Sequence, residues 1–148
     1  MIAAYLATSA LVVVLVLIRR RFVVVRINGE SMSPSYRPGE KILLRRRTHT
    51  RIHVGDVVMF ERPDDDGNWD KPVTARLAAR RWLIKRVAGV GGDPVPLGTA
   101  NPRGTQTVPG GCFVAFGDAS RSFDSRHFGF VPAERVIGTV VRVRAYRG

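Results

Sequence analysis

The chain has 148 residues, a length that accommodates one domain and an additional segment but excludes a multidomain assembly. Its formal net charge is +12, because three lysines and 21 arginines outnumber 12 acidic residues. Such a charge favours a polyanionic partner, either nucleic acid or an anionic lipid surface. The single cysteine, Cys112, excludes an intramolecular disulfide, a cysteine zinc site and a dithiol redox pair.

The N-terminal segment is strongly apolar, and the run from Ile2 to Ile18 contains no charged residue. As a helix this run spans roughly 26 Å, close to the roughly 30 Å thickness of a bilayer's hydrocarbon core. We predict a transmembrane anchor with a basic flank over residues 1–21. A cleaved signal peptide is less favoured, because no basic residue precedes the run and Arg19–Arg21 stand where a cleavage site belongs.

Residues 22–148 show short β-branched runs separated by glycine, proline and aspartate, a pattern typical of a mostly β domain such as a barrel or twisted sandwich. Two stretches are predicted to be loops, Arg62–Asp70 and Asp93–Gly111. The predicted strands are Phe22–Ile27, Lys41–Arg47, Val57–Glu61, Trp82–Ala88, Cys112–Phe116 and Val136–Ala145.

A serine-rich motif follows the first predicted strand, in the sequence from Gly29 to Ser35. Glycine allows the backbone to approach a substrate closely, and a serine hydroxyl becomes a nucleophile when a neighbouring base takes its proton. Arginine remains protonated and cannot be that base. The lysines and histidines are therefore the candidates.

Lys85 is the strongest candidate base, since strand alternation places it on the same face as Leu83 and Val87. Burial on an apolar face lowers the pKa of a lysine and makes a neutral amine available near neutral pH. The competing interpretation is a lysine that extends to the surface or forms an ion pair.

A third cluster, Gly117–Gly129, is rich in acids, hydroxyls and arginine and follows a predicted strand. It is suited to supporting a site by hydrogen bonds, and a Ser-His-Asp triad using His127 is a further arrangement. No metal site is predicted, because His49 and His53 lie in an apparent loop where their spacing does not pair ligands.

Together these clusters resemble the type I signal peptidases, the membrane-bound serine/lysine proteases that remove signal peptides from exported proteins. GESMSPS at Gly29–Ser35 looks like the nucleophile box, and GDVVMF at Gly55–Phe60 like the next strand box. IKRVAGVGGD at Ile84–Asp93 is similar to the box that carries the lysine base, and Gly117–Gly129 to the last box. The resemblance runs from the predicted anchor to about Gly138, nearly the whole chain, and four boxes in this order are far more specific than any one alone.

The resemblance implies Ser31 as nucleophile, Lys85 as base and the backbone N–H of Ser31 as an oxyanion donor. Ser122 is expected to orient the lysine amine, with Ser120 as the alternative. No metal or cofactor is implied. The remaining expected site residues are Asp118, Asp124, Arg86 and Arg126 as a charged support, and Gly29, Met32 and Pro34 at the substrate.

The sequence departs from the family pattern at several places, among them Ser35 where threonine is usual and Ala119 where asparagine is common. Gly29 carries no hydroxyl that could add to the oxyanion site, and the last box is one residue shorter between Asp118 and Ser122. The segment at about 93–116 is short, so the cap of larger members is expected to be reduced to a loop or a small hairpin.

The expected function is therefore a membrane-anchored endopeptidase whose partners are the signal peptides of preproteins and anionic membrane lipids, with no nucleic acid. The family places the catalytic domain on the extracytoplasmic face of the cytoplasmic membrane, whereas Arg19–Arg21 after the apolar run favour the opposite orientation. Two alternatives stay open. One is a maturation protease of this family dedicated to a single partner protein, and the other is a non-catalytic, membrane-tethered basic binding protein.

Overall fold

In a computed structural model of the protein, the described residues are 2–46, 51–69, 82–101 and 103–141. A long helix, α1 (Ile2–Arg21), leads directly into the first strand, and a single helical turn, α2 (Ser125–Phe128), lies late in the chain. A short 3-10 helix covers Ala133–Arg135. The strands are β1 (Phe22–Arg26), β2 (Lys41–Arg46), β3 (Val57–Glu61), β4 (Trp82–Val90), β5 (Cys112–Phe116), β6 (Val131–Pro132) and β7 (Val136–Val141).

All the described strands belong to one antiparallel sheet, in the order β1-β2-β7-β3-β4-β5-β6. The mostly β prediction and the six predicted strands are confirmed. β1 ends one residue before Ile27, and β4 continues two residues further than predicted, to Val90. Arg47 and the predicted extension of β7 at 142–145 lie outside the described residues. β6 was not predicted, because two residues are too short to show an alternating pattern.

Strand β3 is buried on both of its faces and separates two hydrophobic clusters. Successive side chains of a strand point to opposite faces, so Val57 and Met59 join one cluster while Val58 and Phe60 join the other. The first cluster also contains Ile27, Met32, Ile42, Leu44 and Val140, and the second contains Val87, Phe113, Ala115, Val131 and Val136.

The described parts of both predicted loops, residues 62–69, 93–101 and 103–111, are irregular segments with local hydrogen bonds. Asp64 organises the first, because its Oδ1 accepts hydrogen bonds from the N–H groups of Asp66 and Asn68. In the second, an isolated antiparallel bridge joins Pro94 to Thr107.

One buried ion pair was not predicted from the sequence. Arg135 Nη1 donates to Glu61 Oε2 at 3.1 Å, and both side chains are almost completely buried. The same guanidinium donates to the carbonyl of Trp69, so it ties the loop after β3 to the turn before β7.

The large apolar residues of α1 from Leu11 to Ile18 are exposed. Across the residues that the structure describes, no helix has the length and hydropathy that a membrane crossing requires. The transmembrane anchor predicted at residues 1–21 is therefore not confirmed.

Candidate active site

The segment that carries Ser31 connects β1 to β2 and is closed by backbone hydrogen bonds at its base. The N–H of Ile27 donates to the Glu40 carbonyl at 2.8 Å, and that of Gly39 donates to the Ile27 carbonyl at 2.8 Å. Met32 is 1% exposed and packs in the first cluster, next to Ser31. The Met32 side chain therefore lies in the core beside the candidate nucleophile, and its contact with the substrate stays a prediction.

Lys85 lies on β4 opposite Val58 and is 2% exposed, so it does not extend to the surface. Its Nζ donates a hydrogen bond of 2.6 Å to Ser31 Oγ. Loss of hydration on burial lowers the pKa of Lys85 to about 8, and the nearby charge of Asp124 acts in the opposite direction. The sheet thus brings together the two residues that sequence analysis singled out as nucleophile and base.

Arg86, the next residue on β4, forms a two-pronged ion pair with Asp118. Its Nε donates to Asp118 Oδ1 at 2.9 Å and its Nη2 donates to Oδ2 at 2.7 Å. The side-chain hydrogen bonds to Asp118 raise the pKa of Arg86 above its ordinary value. The guanidinium also donates to Ser35 Oγ and to the Gly55 carbonyl, both at 3.3 Å, so Arg86 joins its own sequence box to the other three.

Asp124 is fully buried and is the N-cap of α2. Its carboxylate accepts hydrogen bonds from the N–H of Gly117 at 2.7 Å and from Arg126 N, Nε and Nη2 at 3.1, 3.0 and 2.9 Å. Burial by itself raises the pKa of Asp124, but the hydrogen bonds from Gly117 and Arg126, together with the nearby Ser122 hydroxyl, lower it below its ordinary value. The carboxylate therefore stays ionised beside the candidate base.

The two candidate lysine-orienting serines differ in burial, since Ser122 is 8% exposed and Ser120 lies at the surface. Ser122 Oγ is buried without a hydrogen bond of normal geometry, although it lies near enough to Asp124 to help lower that group's pKa. Neither serine hydroxyl bonds to Lys85 Nζ in the described part of the chain. The burial favours Ser122 over Ser120 as the group beside the site.

The backbone N–H of Ser31 has no acceptor among the described residues, whereas its carbonyl accepts from Ala119 N–H at 3.1 Å. An N–H that bonds to no protein group can donate to a substrate oxyanion. Gly29 has a φ of 85°, in the left-handed region that favours glycine, and nothing surrounds its Cα on the side where a Cβ would lie. Pro34 is exposed near Ser31.

His127 does not take part in this arrangement. Its ring lies against Phe123 with centroids 5.5 Å apart, and no contact with Ser31 is present among the described residues. In the same part of the chain, no three acidic, histidine or cysteine side chains are grouped as metal ligands. His49 lies outside the described residues.

Sequence reasoning missed the importance of Gly117. A Cβ built at this residue would lie 2.5 Å from the Ser31 carbonyl oxygen and would collide with Ser122. The available signal was its place as the first residue after a predicted strand, directly before Asp118. Only glycine leaves room there for the two segments to approach.

A comparison with protein families matches residues 2–101 and 96–144 to the family described as "Signal peptidase, peptidase S26". The chain belongs to this signal peptidase family. It is therefore a peptidase of a family that removes signal peptides from preproteins, as the four sequence boxes predicted.

A comparison with curated proteins supports the same family. The chain is 26% identical to "Signal peptidase I V" of Bacillus subtilis (strain 168), over 80% of this chain and 83% of that protein. The two matched family segments include all the expected site residues, from Gly29 to Arg126.

Proposed function

We propose that this signal peptidase family member is a membrane-anchored serine endopeptidase that cleaves preproteins with Ser31 and Lys85. The observation that carries the proposal is the 2.6 Å hydrogen bond between Lys85 Nζ and Ser31 Oγ. The lysine that forms it is 2% exposed. A lysine with a pKa of about 8 is partly neutral near physiological pH and can accept the hydroxyl proton.

The reaction begins when neutral Lys85 takes the Ser31 hydroxyl proton and Oγ attacks the carbonyl carbon of the scissile bond. The resulting oxyanion accepts a hydrogen bond from the N–H of Ser31. The protonated lysine then gives its proton to the departing amine as the C–N bond breaks, which leaves an acyl ester on Ser31.

Hydrolysis completes the cycle. Lys85, neutral again, takes a proton from water while the oxygen of that water attacks the ester carbonyl. The C–O bond to Ser31 breaks, and the proton on Lys85 returns to Oγ. Every proton transfer uses the Lys85 amine, so these reaction steps require no histidine.

The supporting residues act through Lys85 and Ser31. Asp124 and Asp118 favour the charged form of the lysine, while Arg126 opposes it. Ser122 is proposed to hold Nζ toward Ser31 when a substrate is bound, because its buried hydroxyl has no other hydrogen bond of normal geometry in the described structure.

We further propose that residues 1–21 anchor the chain as a single membrane pass and that the catalytic domain lies on the extracytoplasmic side. The support is the uncharged apolar run from Ile2 to Ile18 and the signal-peptide substrates of the family. Protease protection on intact cells tests the orientation, and a domain that stays shielded until lysis contradicts it.

The test of the enzymatic proposal is cleavage of a membrane-inserted preprotein with small residues before its cleavage site. Ser31→Ala and Lys85→Arg are expected to be inactive although folded, because arginine keeps the charge but cannot act as a base. Ser33→Ala, in the same loop and without a side-chain partner in the described structure, is the matched control and should remain active. Activity that survives in Lys85→Arg contradicts the assigned base.

Two results separate the alternatives. Wild-type protein that ignores general preproteins but cleaves one partner points to a dedicated maturation protease. A cellular role that survives Ser31→Ala but is lost with arginine substitutions points to a non-catalytic binding protein.

A further inference from the structure

The outer face of the β1–β2 hairpin is unusually rich in cations. Strand pairing sets Arg26 opposite Lys41 and Phe22 opposite Arg45, with Val24 opposite Leu43 between them. Because paired residues and alternate residues share one face, these side chains lie together on one side of the sheet. We name this surface the cationic face: Arg26, Lys41 and Arg45 around Val24 and Leu43.

The opposite side of the same two strands is buried. Ile42 and Leu44 belong to the first hydrophobic cluster, and Val23 and Val25 pack against it. The cationic face is therefore the solvent side, and its three charged residues are exposed. Val24 at its centre is 61% exposed, which is high for a valine within a strand.

No acidic side chain among the described residues neutralises the charges of this face. Arg26 and Lys41 stand directly opposite each other, and like charges in such a pair destabilise a sheet. None of its three cations forms an ion pair with any acid in the described part of the chain. Such an arrangement is stabilised when an external anionic surface covers it.

The surface is continuous with the basic end of α1. Arg19, Arg20 and Arg21 occupy the last turn of the helix, all are exposed, and Phe22 begins β1 without a linker. The helix residues before them are exposed and apolar, from Leu11 to Ile18. Apolar residues followed by a layer of cations match the hydrocarbon and anionic headgroup layers of a bilayer.

We propose that the cationic face docks on the anionic phospholipid headgroups of the bilayer that the catalytic domain faces. This inference rests on the proposed function, since it names the surface through which a membrane-anchored peptidase meets its bilayer. The exposed Val24 among the cations, next to an apolar helix, favours lipid over nucleic acid, whose phosphate backbone offers no apolar layer.

Docking is tested on the full chain in nanodiscs of phosphatidylcholine, with or without phosphatidylglycerol. An environment-sensitive dye is attached to Val24→Cys in a Cys112→Ser background, and to Gly110→Cys as a reference position in an exposed turn. The dye at position 24, but not at 110, should shift to the blue only with phosphatidylglycerol, and salt should reverse the shift.

Matched charge variants give the decisive comparison. The triple variant Arg26→Gln, Lys41→Gln, Arg45→Gln should weaken the docking equilibrium about a hundredfold, from about fivefold for each cation. The variant Arg51→Gln, Arg103→Gln, Arg121→Gln removes the same charge from exposed positions elsewhere and should retain most of the docking.

Three results overturn the proposal: a dye spectrum at position 24 that is the same in both nanodiscs, equal losses in the two triple variants, or a response to duplex DNA but not to phosphatidylglycerol. The last result assigns the face to nucleic acid.

Preprotein cleavage in neutral detergent separates this inference from the proposed function, because the cationic-face variant should cleave there at the wild-type rate. If the wild-type protein docks on phosphatidylglycerol but cleaves no preprotein, the proposed enzymatic function is refuted and the docking surface is still supported.

Discussion

The backbone carbonyl of Ser31 accepts a hydrogen bond from the N–H of Ala119, at 3.1 Å. This bond connects the loop that carries the candidate nucleophile to the segment that follows β5. The same segment contains Asp118, which holds Arg86, and Asp124, which holds Arg126. The position of Ser31 relative to Lys85 therefore depends on how closely these two segments approach.

Gly117→Ala is expected to lower kcat/KM about a hundredfold, because a Cβ at this position would lie 2.5 Å from the Ser31 carbonyl oxygen and push the nucleophile away from Lys85. Steady-state cleavage of a signal-peptide substrate measures the effect. Gly110→Ala is the control, since nothing lies within 4 Å of a Cβ there. Full activity in Gly117→Ala would mean that this close approach does not position the serine.

The pH dependence of cleavage should report the ionisation of Lys85. The neutral amine is the active form, so kcat/KM should rise with pH through an apparent pKa of about 8 and fall about tenfold per pH unit on the acid side. A pH profile at limiting substrate reports the pKa in the free enzyme, and a profile at saturating substrate reports the pKa in the enzyme–substrate complex. A profile that stays flat through pH 8 argues against Lys85 as the base.

Lys85→Met is expected to stabilise the folded protein at neutral pH. Burial lowers the pKa of the lysine from 10.5 to about 8, so the folded state binds this proton less tightly than the unfolded state does. The free energy of unfolding of the wild type should therefore rise between those two pH values. Below pH 8 the variant should gain up to about 3 kcal/mol, and the gain should shrink toward pH 10.5. Thermal unfolding across this pH range, with Ser31→Ala as a control that keeps the lysine, measures it; a constant difference contradicts the assigned pKa shift.

Asp124→Asn should destabilise the protein by about 3 to 5 kcal/mol, because it removes the charge that pairs with Arg126 from a fully buried position. Asp118→Asn is the comparison, and its partly exposed pair with Arg86 should cost only about 1 to 2 kcal/mol. Because the pKa of Asp124 is lowered in the folded state, its contribution should be present above its unfolded pKa of 3.8 and be lost as pH falls below that value. Chemical denaturation of both variants provides the test. Equal losses in the free energy of unfolding would contradict the expectation that the more buried ion pair costs more to break.

Ser122→Ala should lower kcat about tenfold, the effect of losing the hydrogen bond to Lys85 that is proposed for the substrate-bound enzyme, and leave KM nearly unchanged. Ser120→Ala, at the surface, should have the wild-type kcat. Rescue by Ser122→Thr, which restores a hydroxyl, distinguishes positioning of Lys85 from simple packing. A larger effect of Ser120→Ala would reverse the assignment between the two serines.

Local chemistry made much of the fold and several site residues predictable. Alternation predicted six strands and placed Leu83, Lys85 and Val87 on one face, and in the structure Leu83 and Val87 both pack in the second cluster. The motifs predicted Ser31 and Lys85 as partners through their resemblance to a family. The burial of Met32 could not be predicted in this way, because the motif does not distinguish a side chain that faces a cleft from one that faces the core.

What the sequence by itself determined is the set of elements and the chemical groups available, since strand periodicity, apolar runs and the types of titratable residues are local properties. Only the tertiary structure decided which groups meet. Ser31 and Lys85 are 54 positions apart, and Glu61 and Arg135 are 74 apart, so their contacts depend on strand order and register. The lowered pKa of Lys85 is likewise tertiary, because it arises from the burial that packing imposes on an amine that any exposed strand would leave hydrated.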